Sequence, residues 1–132
     1  MKILAVDDDN ISLMKMRAIL SKYGSVDTVD SGEKAFELIT KTQKTSEPYQ
    51  LCTMDIEMPG WSGQETVEKI RKWENNEKVE NKKKVKIIMV TIKKDDGNIM
   101  DSFFKGCEWY IKKPVNPENV QKALIEIGLL QT

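Results

Sequence analysis

Apolar and polar positions alternate along this chain in two distinct periods. Short apolar runs at 2–6, 50–54, 85–91 and 107–111 have the length of β-strands. Between them apolar residues recur every three or four positions, as on one face of a helix. Residues 25–29 carry only Val26 and Val29 as large apolar side chains, which predicts a weaker strand at a sheet edge. The run 85–91 is the most apolar and predicts a central strand covered on both faces. Helices are predicted over 11–23, after Ser31, after Ser62, over 95–105 and after Asn116. Asn10, Ser31 and Asn116 are the expected N-caps, Ser62 and Glu65 form a capping-box pattern, and Pro117 suits a first helical position. Gly24 and Gly106 are the expected closing glycines.

The first helix carries two apolar stripes, Ile11-Met14-Ala18 and Leu13-Met16-Leu20, which predicts packing on several sides. The core faces of the others are Ala35, Leu38 and Ile39; Val67, Ile70 and Trp73; and Val120, Ala123, Leu124 and Ile127. Residues 40–48 read as a polar loop, and 74–84 as a frayed helix end and solvated loop. Five strand–helix units of this kind predict one α/β domain over residues 1–132, a doubly wound parallel sheet with helices on both faces.

Composition narrows the function. Twenty-one basic residues balance 21 acidic ones, which argues against a nucleic-acid binder driven by bulk positive charge. The longest apolar run, Ile87-Ile88-Met89-Val90, is far too short to span a bilayer. Three aspartates after Val6 interrupt anything resembling a signal peptide, so a cytoplasmic protein is expected. Cys52 and Cys107 both fall in predicted strands and read as reduced core residues. The absence of histidine excludes a catalytic triad, a histidine-ligated zinc site and a self-contained phosphohistidine donor.

The chemistry gathers at strand ends. Asp7-Asp8-Asp9 follows the first strand, Asp55 the third, Thr91 ends the fourth and Lys113-Pro114 follows the fifth. In an open parallel sheet of order 2-1-3-4-5, strands 1 and 3 flank the switch point where ligands bind. Asp7, Asp8 and Asp55 would meet there. Two carboxylates about 4 Å apart repel by roughly 4 kcal/mol at an effective dielectric near 20. A bound cation offsets that cost, and an oxygen-only ligand set suits magnesium. Helix capping explains Asn10 and Asp9, but not carboxylates arriving from separate strands. Beside such a cation a carboxylate is a competent nucleophile toward phosphorus, with Lys113 and Thr91 placed to hold phosphoryl oxygens.

Asp7-Asp8, Asp55 followed by Met58-Pro59 and Gly63, Thr91, and Lys113-Pro114 resemble the receiver domain of two-component response regulators. The similarity runs from the first strand to the last helix. It implies a flavodoxin-like (βα)5 fold, with Asp55 as phosphoacceptor. It implies that Asp8, Asp55 and the backbone carbonyl of Glu57 bind Mg2+ directly, and that Asp7 acts largely through water. It implies a cis Lys113-Pro114 peptide, a phosphoryl contact from Thr91, and a rotamer switch at Tyr110. That switch would reshape the surface formed by the predicted helix at 95–105, the fifth strand and the last helix. Partners would be a histidine kinase or histidine phosphotransfer protein and a downstream target protein, with no nucleic acid and no membrane.

Some residues depart from the family's pattern. Ile92 stands where a small residue is usual and is expected to crowd the route to Asp55, and Glu57 adds negative charge near it; slow phosphoryl loss is the expected result. Trp61 and Trp109 are also bulkier than usual. Beyond the fifth strand the chain has room for one helix, with no helix-turn-helix or catalytic output segment, so a stand-alone receiver is expected, and a piece of a larger regulator or hybrid kinase stays open. Two alternatives remain: an interaction module of this fold that works without phosphorylation, and a Mg-dependent phosphatase built on the Asp7-x-Asp9 spacing. The second lacks a substrate-selecting insertion, and no turnover enzyme is expected.

Overall fold

The computed structural model of the protein describes residues 1–92 and 106–132. Strand β1 (Lys2–Val6) leads to helix α1 (Asn10–Leu20), then β2 (Ser25–Val29), α2 (Gly32–Thr42), β3 (Leu51–Asp55) and α3 (Gly63–Asn76). A 3-10 turn (Asn81–Lys83) precedes β4 (Lys86–Thr91); β5 (Trp109–Lys112) and helix α4 (Pro117–Glu126) complete the described chain. The helix expected over 95–105 lies outside the described residues.

All strand pairs are parallel, in the order β2-β1-β3-β4-β5. The sheet therefore reverses its winding between β1 and β3, as the sequence pattern requires. Side chains alternate between its two faces. Leu4, Val6, Cys52, Met54, Ile87 and Met89 pack with Ala35 and Ile39 of α2 and Val67 and Ile70 of α3. Ile3, Ala5, Leu51, Ile88, Val90 and Ile111 pack with Leu13, Met16 and Leu20 of α1 and Val120, Ala123 and Leu124 of α4. As expected, β2 sits at an edge and β4 is buried along nearly its whole length. Both cysteines are buried and free, although Cys107 lies just ahead of β5 and not within it. Among the described residues no helix is long and apolar enough to cross a membrane.

Several local expectations are corrected. The N-cap of α1 is Asp9, whose carboxylate accepts from the Ser12 N–H at 3.2 Å and the Ser12 hydroxyl at 2.7 Å. Its carboxylate is shifted by one place from Asn10 and outcompetes it for the first-turn donors. The helix ends at Leu20 with Ser21 as its cap, so Gly24 does not close it. Gly24 answers a different demand: a Cβ there would lie 2.0 Å from the Met1 carbonyl oxygen, beside the bond from Ser25 N–H to that same oxygen. Only one stripe of α1 is buried; Ile11 is 78% and Met14 71% exposed. A helix on one face of a two-layered sheet has a single apolar wall to meet. Glu74, read as part of a solvated tract, is 1% exposed.

The caps at the other helices agree with the sequence. Ser31 accepts from Lys34 N–H and Ser62 from Glu65 N–H. Asn116 and Asn119 exchange side-chain-to-backbone bonds of 2.7 and 2.9 Å, and Pro117 follows the cap.

Gly24→Ala is expected to destabilise the domain by about 1–3 kcal/mol, the usual cost of forcing atoms into a filled site. Urea unfolding with an unchanged slope would show it, and wild-type stability would refute the close-approach argument.

Candidate phosphoacceptor site

Strand register builds the site. Val6 pairs with Met54, so the next residues, Asp7 and Asp55, leave adjacent strands side by side. Asp55 pairs with Val90, one place before Thr91, and Thr91 pairs with Lys112, one place before Lys113. All four predicted positions thus reach one edge of the sheet. Three carboxylates, Asp7, Asp8 and Asp55, offer oxygen atoms that all lie within 4.8 Å of one another. Asp7 and Asp55 are buried, while Asp8 is exposed.

The Lys113 ammonium lies 3.2 Å from Asp7 Oδ2 and 3.9 Å from Asp55 Oδ1. It offsets part of the carboxylate repulsion. Asp7 Oδ1 accepts the Asp9 N–H at 2.9 Å, which leaves Asp7 held from both sides. The Lys113–Pro114 peptide is cis, and Lys113 N–H donates to the Thr91 carbonyl at 2.7 Å. Thr91 is buried at the end of β4. Glu57 sits at the exposed rim, and its backbone N–H donates to the Asp55 carboxylate. Tyr110 lies on β5, partly buried against the α2–α3 side of the core, with its ring stacked on Trp109 at 6.3 Å.

Gly63 explains how α3 can begin so close to Asp55. Its N–H donates to the Ile56 carbonyl at 2.8 Å, and a Cβ would stand 2.3 Å from the Asp55 carbonyl oxygen. The first turn of α3 therefore presses on the backbone that carries Asp55.

Burial, and next the neighbouring Asp7 charge, push the Asp55 carboxyl up to about 6; Lys113 and the Glu57 N–H pull the other way, and Asp8 adds to the rise. Asp9 behaves oppositely: the Ser12 hydroxyl and N–H hold its carboxyl below the usual range. The chemistry of the cluster fits a hard divalent cation. It is oxygen-only, carries three negative charges against one ammonium, and keeps Asp8 open to solvent, as magnesium with its retained waters requires.

Beside this cluster lies a cavity of about 410 Å³, bordered by Leu13, Met16, Val90, Ile92, Lys113 and Pro114. Sequence reading did not find it, because it forms between α1 and the β5–α4 connection. Ile92 is 68% exposed there, and with Ile11 it gives the mouth an apolar border.

The family model for the response regulator receiver domain matches residues 3–125. The chain belongs to this family. Receiver-domain relatives include the sensor histidine kinase GacS of Pseudomonas protegens, 26% identical over 95% of this chain and 13% of that protein. The transcriptional regulatory protein ResD of Bacillus subtilis is 33% identical over 90% of this chain and 44% of its own length. The chain therefore spans less than half of either relative. Among solved structures, the receiver domain of the histidine kinase CKI1 from Arabidopsis thaliana, complexed with Mg2+ and BeF3−, superposes with a TM-score of 0.83. That match is 26% identical and covers 96% of this chain and 89% of the other.

With magnesium removed, Asp55 binds its proton more tightly in the folded receiver than in the unfolded chain. Its contribution to stability is present below about pH 4 and is lost as the pH rises through about 6. Asp8→Asn is expected to raise the melting temperature in chelator above pH 6 and to weaken magnesium binding. A lower melting temperature with unchanged magnesium affinity would contradict the crowded-carboxylate account.

Proposed function

We propose that this receiver domain accepts a phosphoryl group on Asp55 from a histidine kinase or histidine phosphotransfer protein, in a Mg2+-dependent reaction. The observation that carries the reading is the convergence of Asp7, Asp8 and Asp55 within 4.8 Å, with the Lys113 ammonium 3.9 Å from the acceptor. Support comes from the family itself and from a structural neighbour complexed with Mg2+ and BeF3−.

Asp8, Asp55 and the Glu57 carbonyl would hold the cation, with Asp7 acting largely through water. Magnesium, when bound, neutralises negative charge on the transferring group. An Asp55 carboxylate oxygen forms the new bond to phosphorus. The phosphorus–nitrogen bond to the donor imidazole breaks, and its electron pair leaves with the imidazole. Lys113 shifts from Asp7 toward a phosphoryl oxygen, and the Thr91 hydroxyl donates to another. These 132 residues contain no histidine, so the phosphoryl group comes from outside them. The domain is a stoichiometric acceptor in this reading, not a turnover enzyme, and acts in the cytoplasm.

Output is a population shift biased by the new charge. Thr91 is drawn toward the phosphoryl group, and Tyr110 changes rotamer against its neighbours on β5. The altered face, including α4, then binds a downstream protein.

A second reading is favoured by one observation. Ile11 and Ile92 are large apolar side chains left exposed at the cavity beside the candidate site, and Met14 is exposed farther along α1. Such a surface suits protein binding and would serve an interaction module that works without phosphorylation.

Incubation with acetyl phosphate and magnesium separates the two. Intact mass is expected to rise by one phosphoryl group, and Asp55→Asn is expected to abolish the gain. An unmodified wild-type chain would leave the interaction module. Ile92→Ala is expected to speed release of phosphate severalfold by opening the approach to Asp55; an unchanged or slower rate would remove Ile92 from the account.

A further inference from the structure

The far end of the sheet holds a charged cluster that the acceptor chemistry does not use. Arg71 of α3 directs its whole guanidinium at the starts of β4 and β5. Its Nε donates to the Gly106 carbonyl at 2.9 Å. Nη1 donates to Glu74 at 2.8 Å, and Nη2 to both Glu108 oxygens at 2.8 and 3.0 Å. The two carboxylates continue inward. Glu74 accepts the Val85 N–H at 3.1 Å, and Glu108 accepts the Ile87 N–H at 2.5 Å. Gly106, at φ +103, lets the backbone pass over the arginine stem; a Cβ there would lie 2.8 Å from Arg71 Cγ.

The Glu108 contact has a specific meaning in a parallel ladder. Ile87 receives the Glu108 N–H on its carbonyl at 2.8 Å. Its own N–H, on the same side of the strand, is met by the Glu108 carboxylate in place of a main-chain carbonyl. The side chain thus ends the ladder at one residue and no other.

That matters because β5 has little else to hold its register. It is an edge strand of four residues, and only Ile111 within it is fully buried. Trp109 and Tyr110 are only part-buried on its two faces, and a one-residue slip exchanges those faces. Here a slip would trade Trp109 and Ile111 for Tyr110 and Lys112. It would also move Lys113, which follows directly after the Thr91–Lys112 pair. Glu74 is buried, while Arg71 and Glu108 are part-buried. A charge cluster drawn this far from water is seldom the most stabilising choice, and its best-attested use is to define registry.

We propose that Arg71 is a positioning residue for Lys113: acting through Glu108, it pins the start of β5 and so sets where the lysine ammonium meets the phosphoryl group on Asp55. The inference rests on the phosphoacceptor reading. Glu108 and Lys113 are five residues apart, about 17 Å along an extended strand, so the effect travels through strand register and not through charge. Asp7 and Asp8 follow β1 and Asp55 ends β3, so their placing does not depend on it.

The test is binding of beryllofluoride, a phosphoryl mimic, to the full chain, read by tryptophan fluorescence at saturating magnesium. Arg71→Met is expected to weaken it about tenfold, the usual effect of losing a residue that orients a contacting group, with magnesium affinity unchanged. Arg71→Lys is expected to restore little, since an ammonium cannot reproduce the fork. Glu108→Gln keeps the shape of the site and should show the same split if Arg71→Met fails to fold. In a Lys113→Ala background the Arg71→Met effect is expected to vanish. Loss of magnesium and beryllofluoride affinity together, a further loss in the Lys113→Ala background, or a folded variant with wild-type binding would each overturn the proposal. A wild-type chain that binds no beryllofluoride would instead overturn the phosphoacceptor reading.

Discussion

Carboxylates from two adjacent parallel strands are held together against their mutual repulsion, and the rest of the molecule is arranged around that fact. Asp7 and Asp55 are buried at neighbouring strand ends, with Asp8 within reach. Nothing in a folded core favours this arrangement by itself. It persists because β1 and β3 are each packed on both faces, and because Lys113 and the Asp9 N–H supply partial compensation. Burial first, and the neighbouring Asp7 charge second, push the Asp55 carboxyl up to about 6. A hard divalent cation held by these oxygens would relieve the repulsion, which is why the cluster fits one.

Each helix contributes a different constraint to that edge. The carboxylate of Asp9 caps α1 and is thereby turned away from the cluster. The first turn of α3 leans on the Asp55 backbone through Gly63, and its ninth and twelfth residues, Arg71 and Glu74, reach the opposite end of the sheet and close the ladder there. Helix α3 is thus in direct contact with both the acceptor strand and the start of β5. In a receiver domain this gives the lysine side of the site a mechanical reference independent of the metal side.

The surface outside the site is not uniform. Most of α1 conforms to its amphipathic pattern, but Ile11 stays in solvent beside Ile92 at the mouth of the cavity, and Met14 stays in solvent beside Arg17 and Thr28. Exposed apolar groups of this size beside a charged cluster suit the protein contact proposed for this face. The relatives are proteins in which a receiver domain is one part of a longer chain, which fits a module that works by contact.

Local sequence was sufficient for the period of the five strands and of the four described helices, for the caps at Ser31, Ser62 and Asn116, and for the placing of Asp7, Asp8, Asp55, Thr91 and Lys113 at strand ends. These follow from short-range chemistry: alternation, turn residues and the parallel winding that short strand–helix units impose. The resemblance carried by the same residues named the family. What needed tertiary structure was everything set by which walls meet. The exposed stripe of α1 looked like core because hydrophobicity does not report how many surfaces a helix faces. Glu74 looked like solvated charge because its partner, Arg71, and the backbone donor of Val85 come together only when α3 crosses the sheet. Gly24 looked like a helix cap because sequence does not show that Met1 passes within reach of its missing side chain.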